Sequence, residues 1–317
     1  MQRDEDRPSL RGVPGGNKNS SGPGDSLRSF NDYRPLLFSI AYRMLGSVAD
    51  AEDMLQETFI RWQGTPKGGI QSTRAFLVTI ISRLCINQLE SARAKREEYF
   101  GQWLPEPVIT GPDTDPFSRL HIDESVSMAF MVVLERLTPV ERAVFLLREV
   151  FEYKFADIAE ALQRDQADCR QILRRAGQHV AEVRTRFDPS PEQREKLLAR
   201  FLHATSTGDL ADLVAMLSAD AVLYSDGGGK GPAIPNLING ADHVARALLG
   251  GIKKLVPRDL TSRMAEINGQ PGIVSYRNGR PFAVVTIDIR QEHIRSVFVI
   301  SNPKKLAHLP ALPGAPS

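Results

Sequence analysis

The chain has 317 residues, of which 42% are hydrophobic and 25% charged, and its 40 basic and 38 acidic residues leave a net charge of +2. This is a globular composition, and it excludes a uniformly basic nucleic-acid-binding protein, so any contact with nucleic acid must rest on local patches. The longest apolar run, residues 128–134, is too short to span a bilayer, and the amino terminus lacks the apolar core of a signal peptide. Two cysteines form no metal-binding spacing, so we expect a reduced, cytoplasmic protein without metal or cofactor.

Hydrophobic periodicity and proline content divide the chain into six segments. In chain order we expect a disordered amino terminus at 1–26, a helical domain at 27–100, a linker at 101–122, a second helical domain at 123–187, an α+β domain at 192–306 and a flexible tail at 307–317. The α+β domain is predicted because two helices precede a series of alternating strands, with Asn278-Gly279 as a hairpin turn. The predicted fold is therefore multidomain, with two all-α domains and one α+β domain.

The segment DAEDMLQETFIRW, residues 50–62, sorts its residues onto two faces at helical period. One face collects the residues expected to pack inward, namely Ala51, Met54, Leu55, Thr58, Phe59 and Trp62. The other is mainly acidic or amide-bearing and comprises Glu52, Asp53, Gln56, Glu57 and Ile60. An ordinary solvated helix face is the alternative interpretation.

The strongest motif lies at 155–182, where a short helix leads through a tight turn into a second helix, with Asp165 placed as its cap. The contact between the two helices is expected from Ile158, Ala159, Leu162, Ile172 and Leu173. The outward residues of the second helix are Asp168, Arg170, Gln171, Arg174, Arg175 and Gln178. This is the pattern of a helix-turn-helix, in which Arg and Gln suit base edges and further arginines suit phosphate. A plain helical hairpin remains open, because Gln163 and Arg164 occupy a turn where glycine is usual.

A second basic surface is predicted at the end of the long helix that begins near residue 73. Its polar residues are Arg83, Asn87, Arg93, Lys95 and Arg96, and a glycine-rich loop at 67–70 lies nearby in the sequence. Arginines and amides beside a flexible loop suit an unstacked single strand. A basic helix end that balances its own dipole is the alternative for any single residue.

These motifs together resemble the compact extracytoplasmic-function (ECF) type of bacterial sigma factor. DAEDMLQETFIRW is similar to the region that docks on the clamp helices of core RNA polymerase, which implies that Asp53, Gln56, Glu57 and Ile60 face polymerase. RAFLVTIISRLCINQLESARAKRE resembles the helix that grips the −10 element, which implies contacts by Arg83, Asn87 and Arg93. The helix-turn-helix resembles the domain that reads the −35 element, which implies contacts by Arg170, Gln171, Arg174 and Arg175.

The carboxyl-terminal domain resembles the SnoaL-like cone-shaped barrels. Three strings are similar to an ECF subgroup that carries this domain fused to sigma: WLPEP at 103–107, DGGGK at 226–230 and NPKKL at 302–306. The resemblance implies that the domain regulates sigma activity in cis. We expect WLPEP, with Trp103 as its apolar anchor, to contact the barrel near the other two strings. The residues assigned to this contact are Trp103, Pro105, Glu106, Asp226, Gly228, Lys230, Asn302, Pro303 and Leu306.

The barrel offers few groups for acid–base chemistry, and we assign no catalytic residue. The inventory is Tyr224, Asp226, His243, Asp288 and His293, and no pattern among them fixes a nucleophile or metal.

The sequence therefore predicts a sigma factor whose partners are core RNA polymerase, promoter DNA and its own barrel, with no membrane partner. Whether a small-molecule ligand enters the barrel is left open. Two other classes also remain open, namely a ligand-sensing DNA-binding regulator and an enzyme domain fused to a DNA-binding module.

Overall fold

A computed structural model describes residues 23–97, 99, 101–110, 126–180 and 190–312, and for 23–26, 92–97 and 191 it describes the backbone alone. The chain separates into two compact units. The first comprises the described residues up to 95 together with those from 133 to 180, and the second comprises the described residues at 96–132 and from 190 onward. Residues 1–22 of the predicted disordered terminus and 111–122 of the predicted linker lie outside the described residues.

Three helices form the first part of the helical unit: α1 (Pro23–Leu45), α2 (Val48–Gly64) and α3 (Thr73–Glu97). Helix α1 begins inside the segment predicted to be disordered, so the predicted start at Leu27 is four residues late. Gly46, with φ of 67°, ends α1, and the Ser47 side chain then caps α2 by accepting a hydrogen bond from the Asp50 N–H at 3.1 Å.

Four short helices follow in the chain: α4 (Met128–Leu134), α5 (Pro139–Phe145), α6 (Phe155–Leu162) and α7 (Gln166–Val180). The helical unit includes α5, α6 and α7, whereas α4 begins in the second unit. Thr138 and Glu141 form a reciprocal capping box at the start of α5. Helix α5 ends at Phe145, and the chain continues as one turn of π-helix over Leu146–Val150.

The second unit is a six-stranded sheet in the order β2-β1-β6-β5-β4-β3. Its strands are β1 (Leu217–Asp226), β2 (Ile238–Asn239), β3 (Leu260–Ile267), β4 (Gln270–Arg277), β5 (Arg280–Arg290) and β6 (His293–Ile300). Its helices are α8 (Pro191–Thr207), α9 (Leu210–Met216), α10 (Ala241–Leu255) and α11 (Pro303–Leu306). β3 to β6 form an antiparallel meander, and β1 pairs with β6 in parallel. The α+β prediction is confirmed.

Each face of this sheet has its own apolar core. Alternating residues of β4, Ile273 and Val274, belong to different cores, as strand geometry requires. One core lies beneath α8, α9 and α10. The other includes Leu104 of the predicted linker and Leu309 of the predicted tail. The tail prediction is therefore wrong as far as residue 312, because Leu309 is buried and the Leu312 N–H bonds to the Gly279 carbonyl at 2.9 Å.

Within the described residues, no helix is both long enough and apolar enough to cross a membrane. The same part of the chain holds no cluster of three or more His, Cys, Asp or Glu side chains that could bind a metal ion.

Candidate functional site

The exposed face of α2 carries the residues predicted to meet polymerase. Asp53, Gln56 and Ile60 are exposed, and Ile60 leaves 54% of its surface in solvent. Glu57 is partly exposed and bonds to Arg61 at 2.7 Å. The opposite side of the helix is anchored by Ala51, Leu55, Thr58 and Trp62, all buried, while Met54 and Phe59 are half-buried. Helical period therefore sorts the two faces as the sequence analysis expects.

A cleft of about 350 Å³ lies beside this face, between α1 and α2. Asp53 and Gln56 stand at its polar side, and Phe30 and Phe59 pack together in its wall with ring centroids 4.9 Å apart. The surface thus combines acidic and amide groups with apolar area, a composition suited to a protein partner with basic side chains.

Arg83, predicted to contact DNA, has a partner inside the helical unit. Its guanidinium donates to the carbonyls of Ala161 and Glu160, at 2.7 and 3.4 Å. These carbonyls belong to the last turn of α6, and the Glu160 carbonyl also accepts a hydrogen bond from the Gln163 N–H at 3.3 Å. A cation is favoured at this position because it lies at the negative end of the helix dipole. In this conformation Arg83 therefore joins α3 to the helix-turn-helix. Asn87 is exposed on the same helix, and the side chain of Arg93 lies outside the described residues.

Other contacts join the same two parts of the helical unit. Buried Arg142 donates to the Met44 carbonyl at 2.6 Å and pairs with Glu135 at 2.8 Å. Arg74 bonds to the Tyr153 hydroxyl at 2.9 Å. Arginines thus connect α1 and α3 to the segment that carries the helix-turn-helix.

The helix-turn-helix has the expected apolar corner. Ile158, Ala159 and Ile172 are buried between α6 and α7. Gln163 adopts the left-handed conformation with φ of 54°, so this glutamine fills the position where glycine is usual. The four residues predicted to read the −35 element, Arg170, Gln171, Arg174 and Arg175, are all exposed on α7. Arg170 also lies over the Phe155 ring, 5.0 Å from its centroid.

Asp226, Lys305 and Leu104 form the centre of the contact between WLPEP and the barrel. The Asp226 and Lys305 side chains pair at 2.7 Å, and both are buried. The Asp226 carboxylate also accepts a hydrogen bond from the Leu104 N–H at 2.8 Å, and Lys305 donates to the Leu104 carbonyl. One buried ion pair therefore holds both backbone polar groups of a linker residue, whose side chain enters the barrel core.

Tyr99 and Asn302 extend this contact. The Tyr99 hydroxyl donates to the other oxygen of Asp226 and accepts a bond from Asn302 at 2.8 Å. Burial and the hydrogen bond to Asp226 raise the pKa of the Tyr99 hydroxyl, which therefore remains a donor. Gly228 has φ of 56°, and a side chain there would overlap Asn302. The glycines of DGGGK thus allow the loop to close on NPKKL.

Asn268, in the turn between β3 and β4, holds the linker at Val108 and the chain just beyond the linker at Val126. Its side-chain oxygen accepts from the Val108 N–H at 2.9 Å, and its amide donates to the Val126 carbonyl at 2.9 Å. Its backbone N–H bonds to the Val108 carbonyl at 2.8 Å. Asn268 is fully buried. The barrel therefore binds the chain on both sides of the segment 111–125.

The remaining residues assigned to this contact differ in their placement. Trp103 is only half-buried and packs against Lys305, 4.0 Å from its ring centroid, so the expected apolar anchor is instead Leu104. Lys230 is exposed, and the lysine that pairs with the acid is Lys305, which the sequence analysis missed. Pro105 and Leu306 are buried, Pro303 begins α11, and Glu106 lies 3.9 Å from His308.

A cavity of about 370 Å³ lies on the helical side of the sheet. None of the acid–base candidates Tyr224, Asp226, His243, Asp288 and His293 lines it within the described residues. Tyr224 instead stacks on Phe298, with ring centroids 5.1 Å apart, and Asp288 pairs with Arg290 at 3.3 Å.

These features define a sigma factor with a fused carboxyl-terminal domain. They are the acidic face of α2, the helix-turn-helix, and a SnoaL-like barrel that binds the linker between the two helical domains. Residues 30–95 match the family model for sigma-70 region 2, and residues 127–180 match that for sigma-70 region 4. The chain belongs to the ECF sigma factor family, which confirms the resemblance.

Two Mycobacterium tuberculosis proteins illustrate the relationship. The chain is 37% identical to the ECF RNA polymerase sigma factor SigJ over 90% of this chain and 94% of that protein. It is 31% identical to the probable ECF RNA polymerase sigma factor SigI over 88% and 94% respectively. The crystal structure of SigJ matches with a TM-score of 0.73 at 34% identity, covering 89% of this chain and 98% of that one.

Proposed function

We propose that this sigma factor binds core RNA polymerase through the acidic face of α2 and reads promoter DNA through α3 and α7. We further propose that its barrel regulates initiation in cis by holding the connection between sigma regions 2 and 4. The observation that carries this second proposal is the buried Asp226–Lys305 pair, which binds both backbone polar groups of Leu104.

The exposed face of α2 supports the polymerase contact. Asp53, Gln56 and Glu57 supply negative charge and hydrogen-bonding groups, and Ile60 supplies apolar area that nothing in the described residues covers. Interfaces combine such a small apolar centre with a polar surround, and the charges guide association with a basic partner.

The exposed basic residues of α7 support the promoter contact. A helix that presents arginine and glutamine side by side can contact guanine and adenine edges, while its other arginines contact phosphate. The closed arrangement of the helical unit occupies Arg83, so we propose that α3 and α6 separate before Arg83 contacts the −10 element.

The linker contacts support regulation. Between the two matched regions lie 31 residues (96–126), which as a free chain could extend to roughly 100–110 Å. Asp226 and Lys305 hold one part of this connection and Asn268 holds both sides of 111–125, so the barrel limits that reach. Because the barrel is tethered to its target, its effective concentration is on the order of millimolar, and modest contacts suffice.

Run-off transcription with purified core polymerase on a cognate promoter tests the proposal. Lys305→Met is compared with Lys304→Met, which changes an exposed neighbour in the same string. We expect Lys305→Met to change the transcript yield at least threefold and Lys304→Met to leave it unchanged. A higher yield shows that the contact of Asp226 and Lys305 with the linker restrains initiation, and a lower yield shows that this contact is needed to build the active form. Equal yields from both variants and the parent protein contradict regulation through this contact.

The polymerase contact is tested separately with Asp53→Lys and Ile60→Asp. We expect both variants to lose binding to core polymerase while duplex DNA carrying the −35 element still binds α7. In a regulator that acts on DNA without binding polymerase, these substitutions would not affect DNA binding or transcription. Transcription that is retained in both variants would therefore contradict the proposal.

A further inference from the structure

The cavity of the barrel has the size and lining of a binding site for a small apolar molecule. Its volume of about 370 Å³ lies at the lower end of the range for small-molecule pockets and is more than twice that of an apolar cavity known to bind benzene. Its walls come mainly from aliphatic and aromatic side chains, including Phe201, Leu223, Leu248 and Phe282.

The polar groups of the lining are already paired within the protein. Ser262 and Ser275 bond to each other at 2.8 Å, and the Thr205 hydroxyl bonds to the Phe201 carbonyl of its own helix. A ligand therefore needs no dense set of hydrogen bonds. Among the described residues that line the cavity, Arg258 is the one charged side chain, and it is exposed at the mouth.

The mouth itself is apolar. Ile252, Leu255 and Val256 line the cavity and are also among the exposed large hydrophobic residues. An apolar body entering here would leave its polar end near Arg258, where a carboxylate or sulfonate gains a charge partner.

One wall of the cavity is physically connected to the linker contact. The wall residues Pro232, Ala233 and Ile234 belong to the loop that follows DGGGK. Ser225 accepts a hydrogen bond from the Ile234 N–H at 3.1 Å, and Ser301 donates to the Pro232 carbonyl at 2.6 Å. Both serines line the cavity, so they fix this wall from inside.

The residue that follows each of these two serines belongs to the linker contact. Ser225 precedes Asp226, and successive side chains of a strand point to opposite faces. Ser301 precedes Asn302, which bonds to Tyr99. A single residue step therefore separates the wall of the cavity from the groups that hold Tyr99 and Leu104.

We propose that the barrel binds a compact, largely apolar organic acid, and that binding strengthens the hold of Asp226 and Lys305 on the linker. The ligand supports the wall formed by Pro232 to Ile234, and the two serines transmit that support to Asp226 and Asn302. The coupling rests on the proposed regulatory role of the linker contact, whereas the binding does not. Coupling of this kind is reciprocal, so releasing the linker must lower the affinity for the ligand by the same factor.

Two fluorescent probes on one ring skeleton test the ligand class in the full-length protein. N-phenyl-1-naphthylamine is neutral, and 1-anilinonaphthalene-8-sulfonate adds one negative charge. We expect both to bind saturably at one site, with the anionic probe about threefold to tenfold tighter. Arg258→Gln should abolish this difference, and Lys254→Gln, at an exposed lysine near the mouth, should keep it. A preference unaffected by Arg258→Gln would overturn the assignment of an acid.

A pair of glycine substitutions tests whether the cavity is the site. Gly251 lines the cavity, and a Cβ there meets Ile234 at an ordinary 3.7 Å, whereas a Cβ at Gly250 meets nothing within 4 Å. Leucine at either position improves the helix propensity of α10. We expect Gly251→Leu to weaken both probes at least tenfold and Gly250→Leu to leave them unchanged. No saturable binding to the parent protein, or equal effects of the two variants, overturns the site.

The Lys305→Met variant tests the coupling. We expect it to weaken both probes threefold to tenfold, and saturating probe to slow hydrogen exchange at the Leu104 N–H of the parent protein by the same factor. Probe affinity that is identical in Lys305→Met and Lys304→Met overturns the coupling while leaving the transcription test untouched. Conversely, unchanged transcription in Lys305→Met contradicts the proposed regulation even if the probes bind.

Discussion

Asn268 and Asn278 begin two successive hairpin turns with the same left-handed backbone, φ of 51° and 50°, yet one is buried against the linker and the other is exposed. Each is followed by a glycine with positive φ. Substituting each asparagine with glycine keeps the turn conformation and removes the side chain. The two positions therefore form a matched pair that isolates the linker contact from the turn itself.

We expect Asn268→Gly to remove the bonds to Val108 and Val126 and to lower the free energy of unfolding of the barrel unit by about 1–3 kcal/mol. Asn278→Gly should change it by less than about 0.5 kcal/mol. Denaturant unfolding measures both, and hydrogen exchange at Val108 localises the effect. Equal losses would show that the turns, and not the linker bonds, determine the result.

Lys305→Met should lower the free energy of unfolding of the barrel unit by about 3–5 kcal/mol, because it leaves the Asp226 carboxylate buried without its cation. Adding Asp226→Asn should recover part of this loss, since the amide is neutral. Urea unfolding of the two single variants and the double variant measures the coupling. Strictly additive losses would indicate that the two side chains act independently.

Arg83→Ala should lower the free energy of unfolding of the helical unit by about 1.5–3 kcal/mol, because the last carbonyls of α6 lose a charged donor. Asn87→Ala, at an exposed residue of the same helix, is the control and should change stability by less than about 0.5 kcal/mol. If both residues also contact the −10 element, transcription falls in both variants. Full transcription in Arg83→Ala would contradict a role for Arg83 in DNA binding.

Gln171→Ala should change promoter preference more than overall affinity, because a glutamine reads a base edge and not the backbone. Arg174→Ala should weaken binding to all DNA sequences alike, and it should reduce the salt dependence of binding by the equivalent of about one phosphate contact. Binding to a panel of −35 variants at several salt concentrations separates the two effects. Uniform weakening by Gln171→Ala would count against its role in base reading.

The features predictable from the sequence are those with a short period or a short motif. The buried face of α2 follows from spacing, and the corner of the helix-turn-helix follows from Ile158, Ala159 and Ile172. The strings WLPEP, DGGGK and NPKKL, which meet in the linker contact, could be identified before their geometry was known. Each of these signals is local in the chain.

The missed features depend on partners far away in the sequence. Arg83 binds backbone carbonyls 77 and 78 residues later, and a backbone acceptor leaves no trace in sequence. Lys230 and Lys305 both stand in recognisable strings, but only packing decides which one is buried beside Asp226. Asn268 and Asn278 both precede glycine, so the sequence cannot tell which turn meets the linker. The same holds for Leu309, an isolated apolar residue that fills a core built from distant strands.

Lys305 lies 125 residues beyond the end of α7 at Val180, so the ribosome adds it well after both sigma regions. A ribosome adding about 5–20 residues per second takes roughly 6–25 s to cover that stretch. Throughout this interval both sigma regions have been translated, but Lys305, which completes the contact with Asp226 and Leu104, has not yet been added. Every newly made molecule therefore passes through a period without this contact, and the regulation that we propose for the barrel can begin only after Lys305 has been added to the chain.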